Sequence, residues 1–175
     1  VAWTTNTPNS RIFQQAMLNP IARAVNAATI PTGFVSLTAD TINVALWNNS
    51  ITPDATVAVA STGYNTGAWA SGANEVTDAT NWVAGGRALG AKTFSIDTGS
   101  SSAVFNAPNL AGGGNVTLTN AYGCLVYDNL ITAGTVAKQG MCYNYFGGAQ
   151  SVTNGTFTII WATVGATTGI FNITV

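Results

Sequence analysis

The stretch Thr41-Ile42-Asn43-Val44-Ala45-Leu46 decides the fold class. Ile42, Val44 and Leu46 recur at every second position, the period of a strand whose alternate side chains enter one core. It is bounded by turn chemistry, Pro31-Thr32-Gly33 before it and Asn48-Asn49-Ser50 with Thr52-Pro53-Asp54 after it. The same texture continues outward. Ala55 to Ala60 reads as a short strand, and residues 61–81 as a long Gly- and Asn-rich loop carrying Tyr64 and Trp69, with Trp82 just after it. A short strand is expected near Glu75-Val76-Thr77.

Gly85-Gly86 opens a strand through Arg87-Ala88-Leu89 that continues to Phe94-Ser95-Ile96, and the turn after Asp97 leads into Ala103-Val104-Phe105. Gly112-Gly113-Gly114 precedes Val116-Thr117-Leu118-Thr119. Further strands are expected at Tyr122–Tyr127, Met141–Phe146, Thr156–Trp161 and Gly169–Val175, with breaks flanked by Gly147-Gly148 and Asn154-Gly155. Short strands with turn signals every eight to twelve residues indicate an all-β, antiparallel β-sandwich of jelly-roll or Ig-like type. It is assigned to residues 34–175.

Residues 1–33 read as an N-terminal arm. Ser10 can cap a short helix with Ile12, Phe13, Ala16 and Met17 at helical spacing, and Pro20 interrupts it before Ile21, Ala24 and Val25 resume the pattern. No basic-then-apolar leader is visible at Val1-Ala2-Trp3-Thr4, and the Val start fits removal of an initiator Met. The expected division is arm, then sandwich.

Charge scarcity shapes the functional reading. The chain of 175 residues has five Lys or Arg, six Asp or Glu and no His, against 47% apolar residues. Charged side chains keep monomers dispersed, so a chain this poor in them solvates itself with amides and hydroxyls or is covered by neighbours. Without imidazole, Ser/His/Asp and Cys/His nucleophiles are excluded. The six acids, Asp40, Asp54, Glu75, Asp78, Asp97 and Asp128, are scattered beside turns, and the one close pair, Glu75 and Asp78, reads as a solvated loop. No Lys/Arg cluster suggests nucleic acid, and no apolar run suggests a membrane span. Cys124 and Cys142 are too few for a disulfide framework or a zinc site. A hairpin centred near Ala133 would set them face to face, with reduced thiols expected in a cytosolic product. The sequons at Asn48, Asn115, Asn154 and Asn172 are the chance yield of an Asn- and Thr-rich chain. No cofactor is expected.

Several short motifs recur in a fixed order: Val44-Ala45-Leu46-Trp47-Asn48-Asn49 before Thr52-Pro53-Asp54; Tyr64, Trp69 and Asn74-Glu75-Val76; Trp82 and Gly85-Gly86-Arg87-Ala88-Leu89; Tyr122-Gly123-Cys124-Leu125-Val126-Tyr127; Tyr145-Phe146-Gly147-Gly148; and Gly155-Thr156-Phe157-Thr158-Ile159-Ile160-Trp161 with Gly169-Ile170-Phe171. Over residues 40–175 this order resembles small virion structural proteins of tailed bacteriophages, especially those infecting actinobacteria. The resemblance implies a β-rich subunit present in many symmetric copies, without enzymatic activity and with no catalytic residues to carry over.

The expected function is that of a capsid decoration or cement protein, which binds the outside of the shell and stabilises joints between major capsid subunits. The alternatives are a minor tail or tail-tip protein, or a host-glycan-binding virion module. The expected partners are the major capsid protein or other virion proteins and further copies of the chain, in a particle assembled in the host cytoplasm, with no nucleic acid and no membrane. The candidate interface residues are Ile12, Phe13 and Met17 in the arm and Tyr64, Trp69 and Trp82 in the aromatic loop, with the edge of Ile170–Val175 as a strand available for pairing.

Overall fold

The computed structural model describes residues 10–12, 37–72, 74–99, 102–132, 136–161, 163–164 and 167–174. Its strands are β1 (Ser10–Ile12), β2 (Ile42–Trp47), β3 (Glu75–Val76), β4 (Arg87–Ala88), β5 (Thr93–Asp97), β6 (Ser102–Asn106), β7 (Leu110–Ala111), β8 (Val116–Asp128), β9 (Gly140–Gly155), β10 (Thr158–Ile159), β11 (Thr163–Val164), β12 (Thr167–Thr168) and β13 (Phe171–Thr174). All named pairings are antiparallel. The main sheet runs β1-β9-β8-β2-β3 with β4 also on β2, and a small sheet runs β13-β6-β5. β10 pairs with β7 and β11 with β12. The expected antiparallel β fold is therefore present, in open sheets.

Both faces of the main sheet are buried, and alternation assigns each residue to one of them. On one face Ile42, Val44 and Leu46 join Val116, Cys124, Val126 and Cys142 in a core completed by Phe105, Leu110, Ile159, Trp161 and Ile170 from the smaller sheets and their connections. On the other, Ala45 and Trp47 join Leu125, Tyr127 and Tyr143 beneath Ile51, Tyr64 and Trp69. The long aromatic loop is the second layer of packing on that side. Fully burying one large apolar side chain stabilises by about 1.5–3 kcal/mol, and each of these aromatics contributes toward the entropy cost of ordering the connection.

Several local expectations are corrected. Ser10–Ile12 is not the start of a helix but a strand, with Ser10 opposite Asn144 and Ile12 opposite Cys142. An edge of the long β9 satisfies backbone groups that a three-residue stretch cannot satisfy alone. The rest of the expected helix, with Phe13 and Met17, lies outside the described residues. Ala55–Ala60 is turn and the beginning of a 3-10 turn over Val59–Ser61, closed by Ser61 and Thr62 amides donating to Ala58 and Val59 carbonyls. The segment from Arg87 to Ile96 is two strands in different sheets rather than one.

Val116–Asp128 and Gly140–Gly155 are each a single strand running through the predicted breaks. Their ladder shifts register four times, and Asn120, Gly147, Gly148 and Asn154 take positive φ there. Gly and Asn tolerate that conformation, so the chain absorbs extra residues as bulges instead of ending the strand. One shift falls between Val126 and Tyr127, and Cys124 faces Asn144 while Cys142 faces Val126. The two thiols lie on a diagonal of the sheet, not face to face, and both are free and buried.

Candidate protein interface

The small sheet carries an ordered apolar face. Phe94 opposes Phe105, which opposes Phe171, giving three phenylalanines in one cross-strand row. Ile96, Ala103 and Ile173 form the next row of the same face. Phe105 is fully buried and its ring lies 5.2 Å from that of Phe171, so the centre of this face is anchored in the first core. At β5 the same face overhangs the core. Phe94 is 44% exposed and Ile96 78% exposed.

β5 is also an edge, since among the described residues no strand pairs with its outer side. Its backbone groups there and its apolar side chains form one surface, bracketed by Lys92 and Asp97. An open edge with apolar side chains is a template for a partner strand. β13, the edge noted from the sequence, closes the opposite side of the same sheet. A separate groove of 390 Å³ runs along Tyr145, Phe146, Gln150 and Phe157–Ile160, with Ile160 73% exposed at its rim.

The aromatic residues singled out from the sequence are placed differently. Trp69 is 1% exposed, edge-on to Trp47 at 5.6 Å and tilted on Tyr143 at 5.7 Å. Trp82 is fully buried in the other core, edge-on to Phe157 at 5.5 Å. The two indoles are on opposite faces of the main sheet and form no shared platform. Tyr64 is buried beside Tyr127. Ile12 lies on β1 against β9. Sequence reasoning missed Phe94 and Ile96; the available signal was their spacing of two in a segment with no third strand after it to cover them.

The acids serve structure. Glu75 is buried, not solvated: Oε2 accepts from the Tyr64 hydroxyl at 2.9 Å and Oε1 from the Gly85 amide at 2.7 Å. Burial raises its pKa, against the lowering by those two donors and by Lys138. Asp78 points elsewhere, accepting from the amides of Thr80, Asn81 and Thr117, which hold its carboxyl below the usual range. Asp54 accepts from Thr56 in an exposed turn and is lowered for the same reason. Asp128 is buried beside Asp40. Among the described residues no three His, Cys, Asp or Glu side chains gather as a metal site would require.

No family model, curated protein or solved structure matches this chain.

Proposed function

We propose that the chain is a non-enzymatic structural protein of a bacteriophage virion, a decoration or cement subunit on the outside of the capsid. The observation that carries this reading is the overhanging face of β5, where Phe94 and Ile96 stand exposed on an unpaired edge. Low charge supports it, because long ionic side chains are costly to desolvate at a joint between subunits. The order of short motifs along residues 40–175 supports the virion assignment, and repetition around a symmetric shell multiplies weak contacts. The fold is read as a distorted sandwich, with the small sheet and the β7–β10 pair forming the second layer over the main sheet. The partners are the major capsid protein and further copies of the chain; neither nucleic acid nor membrane takes part, and catalysis has no role.

The test is co-sedimentation of the purified protein with undecorated capsids, beside the variant Phe94→Ser/Ile96→Ser. Wild-type protein is expected to bind in hundreds of copies per shell and raise its thermal stability, and the double variant to stay folded but remain in the supernatant. Binding to tails alone would replace the shell assignment by a tail one. Equal binding by the variant would remove β5 from the interface.

A further inference from the structure

The chain holds a pair of carboxyls that the interface does not use, Asp128 buried and Asp40 half-buried. Asp128 ends β8 opposite Ile42, the first residue of β2. Asp40 precedes Ile42 by two residues, in the bend that leads into β2. The ladder continues past its last named pair, because the Asn129 amide donates to the Thr41 carbonyl at 2.9 Å. Asp128 has no exposed surface. Its Oδ1 accepts from the Leu130 amide at 2.8 Å, while Oδ2 is buried without a donor. The Asp40 side chain is its hydrogen-bonding neighbour.

Two carboxylates cannot both ionise at hydrogen-bond range in a buried site without a strong like-charge penalty. We propose that Asp40 and Asp128 form a proton-held latch, in which one proton bridges the two carboxyls and ties the start of β2 to the end of β8. In its ionised state the pair repels, and the described parts of the connection, residues 129–132 and 136–139, loosen from the sheet.

The surroundings of Asp128 leave Asp40 as the group that sets this behaviour. From β2 the facing charge is Asp40. Lys138 is the one charged residue in the connection, and its ammonium lies 5.2 Å over the Tyr64 ring. From β9 the titratable neighbour is Cys142, a buried thiol held neutral by burial. Desolvation, followed by the hydrogen bond to Asp40, pushes Asp128 up to about 7 from 3.8, against the Leu130 and Ile131 amides.

The connection has work to lose. Lys138 accepts from the Tyr64 amide and donates to the Ile131 carbonyl, and Thr62 accepts from the Gly140 amide. These bonds hold the aromatic cover of the second core. Opening the latch therefore loosens that cover at its base.

The sign follows from linkage. The folded state holds the proton more tightly than the unfolded chain, so the latch contributes fully below 3.8 and is lost as pH rises through about 7. Over that window it makes the unfolding constant rise about tenfold per pH unit. Glu75 contributes in the same direction, so the experiment compares variants rather than absolute slopes. Urea unfolding of the full chain is measured from pH 4.5 to 8.5 for wild type, Asp128→Asn and Asp40→Asn, with amide protection factors for residues 129–132 and 136–140. Asp128→Asn, a permanent donor of the same shape, is expected to remove about one proton from the slope and keep 129–132 and 136–140 protected at pH 8. Should Asp128→Asn not fold, Asp40→Asn reads a smaller loss of slope, because burial alone still raises Asp128. A wild-type slope in the folded variants overturns the latch. So does calcium raising the melting temperature at pH 8, which would put a bound cation where the proton is assigned.

Discussion

Tyr64 and Tyr127 stack with ring centroids 4.9 Å apart and planes 10° from parallel, and their hydroxyls close on the same turn. Tyr127 donates to the Gly85 carbonyl at 2.8 Å, while Tyr64 reaches the Glu75 carboxylate that accepts the Gly85 amide. The backbone at Gly85 is thus held from both sides, which fixes β4 against β2. Burial pushes the Tyr127 hydroxyl up to about 12, so it stays a donor throughout the accessible pH range.

Tyr64→Phe is expected to destabilise by about 1–3 kcal/mol, because a buried carboxylate oxygen loses its donor. In a double-mutant cycle with Glu75→Gln the two changes should couple, since they share one bond. Glu75 has a raised pKa, so its contribution is present below 4.5 and lost as pH rises through the folded value. Urea denaturation at pH 5 and pH 8 measures both effects; additive free energies would show that the bond carries nothing.

Trp69→Ala is expected to cost about 3–5 kcal/mol, the range for truncating a buried aromatic. Trp82→Ala should cost a similar amount from the other side of the sheet. A glycan platform would instead leave stability intact and abolish binding, so melting temperatures of the two variants separate the roles.

Gly86 approaches the main sheet so closely that an added Cβ would run into the Val44 carbonyl, and its φ of 71° is one that L side chains rarely adopt. Gly86→Ala should lower soluble yield or cost several kcal/mol by the combined clash and strain. Gly114→Ala, where no atom lies within 4 Å of the new carbon, is the control and should change stability by about 0.5 kcal/mol or less.

Cys124 is pushed up to about 12 by burial, and Cys142 is raised for the same reason. Both thiols should resist a maleimide at pH 8 in the folded protein and react fully in denaturant. Rapid labelling of either in native buffer would place it at the surface.

Much of the fold was legible because alternation survives in a single sequence. Ile42, Val44 and Leu46 were assigned correctly to one face, and the hairpin from Asp97 to Ser102 was read at its turn. The burial of Ala45 and Trp47 was not legible, since a period of two reports one covered face and says nothing of a loop returning over the other. Register failed for a related reason. The bulges at Asn120, Gly147 and Gly148 keep a strand going through residues that usually end one, and the pairing nearer the connection, with its own shift between Val126 and Tyr127, sets Cys142 opposite Val126 instead of Cys124. At the candidate interface, aromatics in a polar loop fit core cover as well as an outward surface, and tertiary packing turns Tyr64, Trp69 and Trp82 inward as core cover. Phe94 and Ile96 read only as part of a strand and are the ones left outside.

The uncovered margin at β5 also sets a schedule. A newly made subunit carries a sticky border from the moment it folds, and any other chain with a bare strand is a competitor for it. Such a molecule should keep best when dilute, where that border meets other bare strands least often.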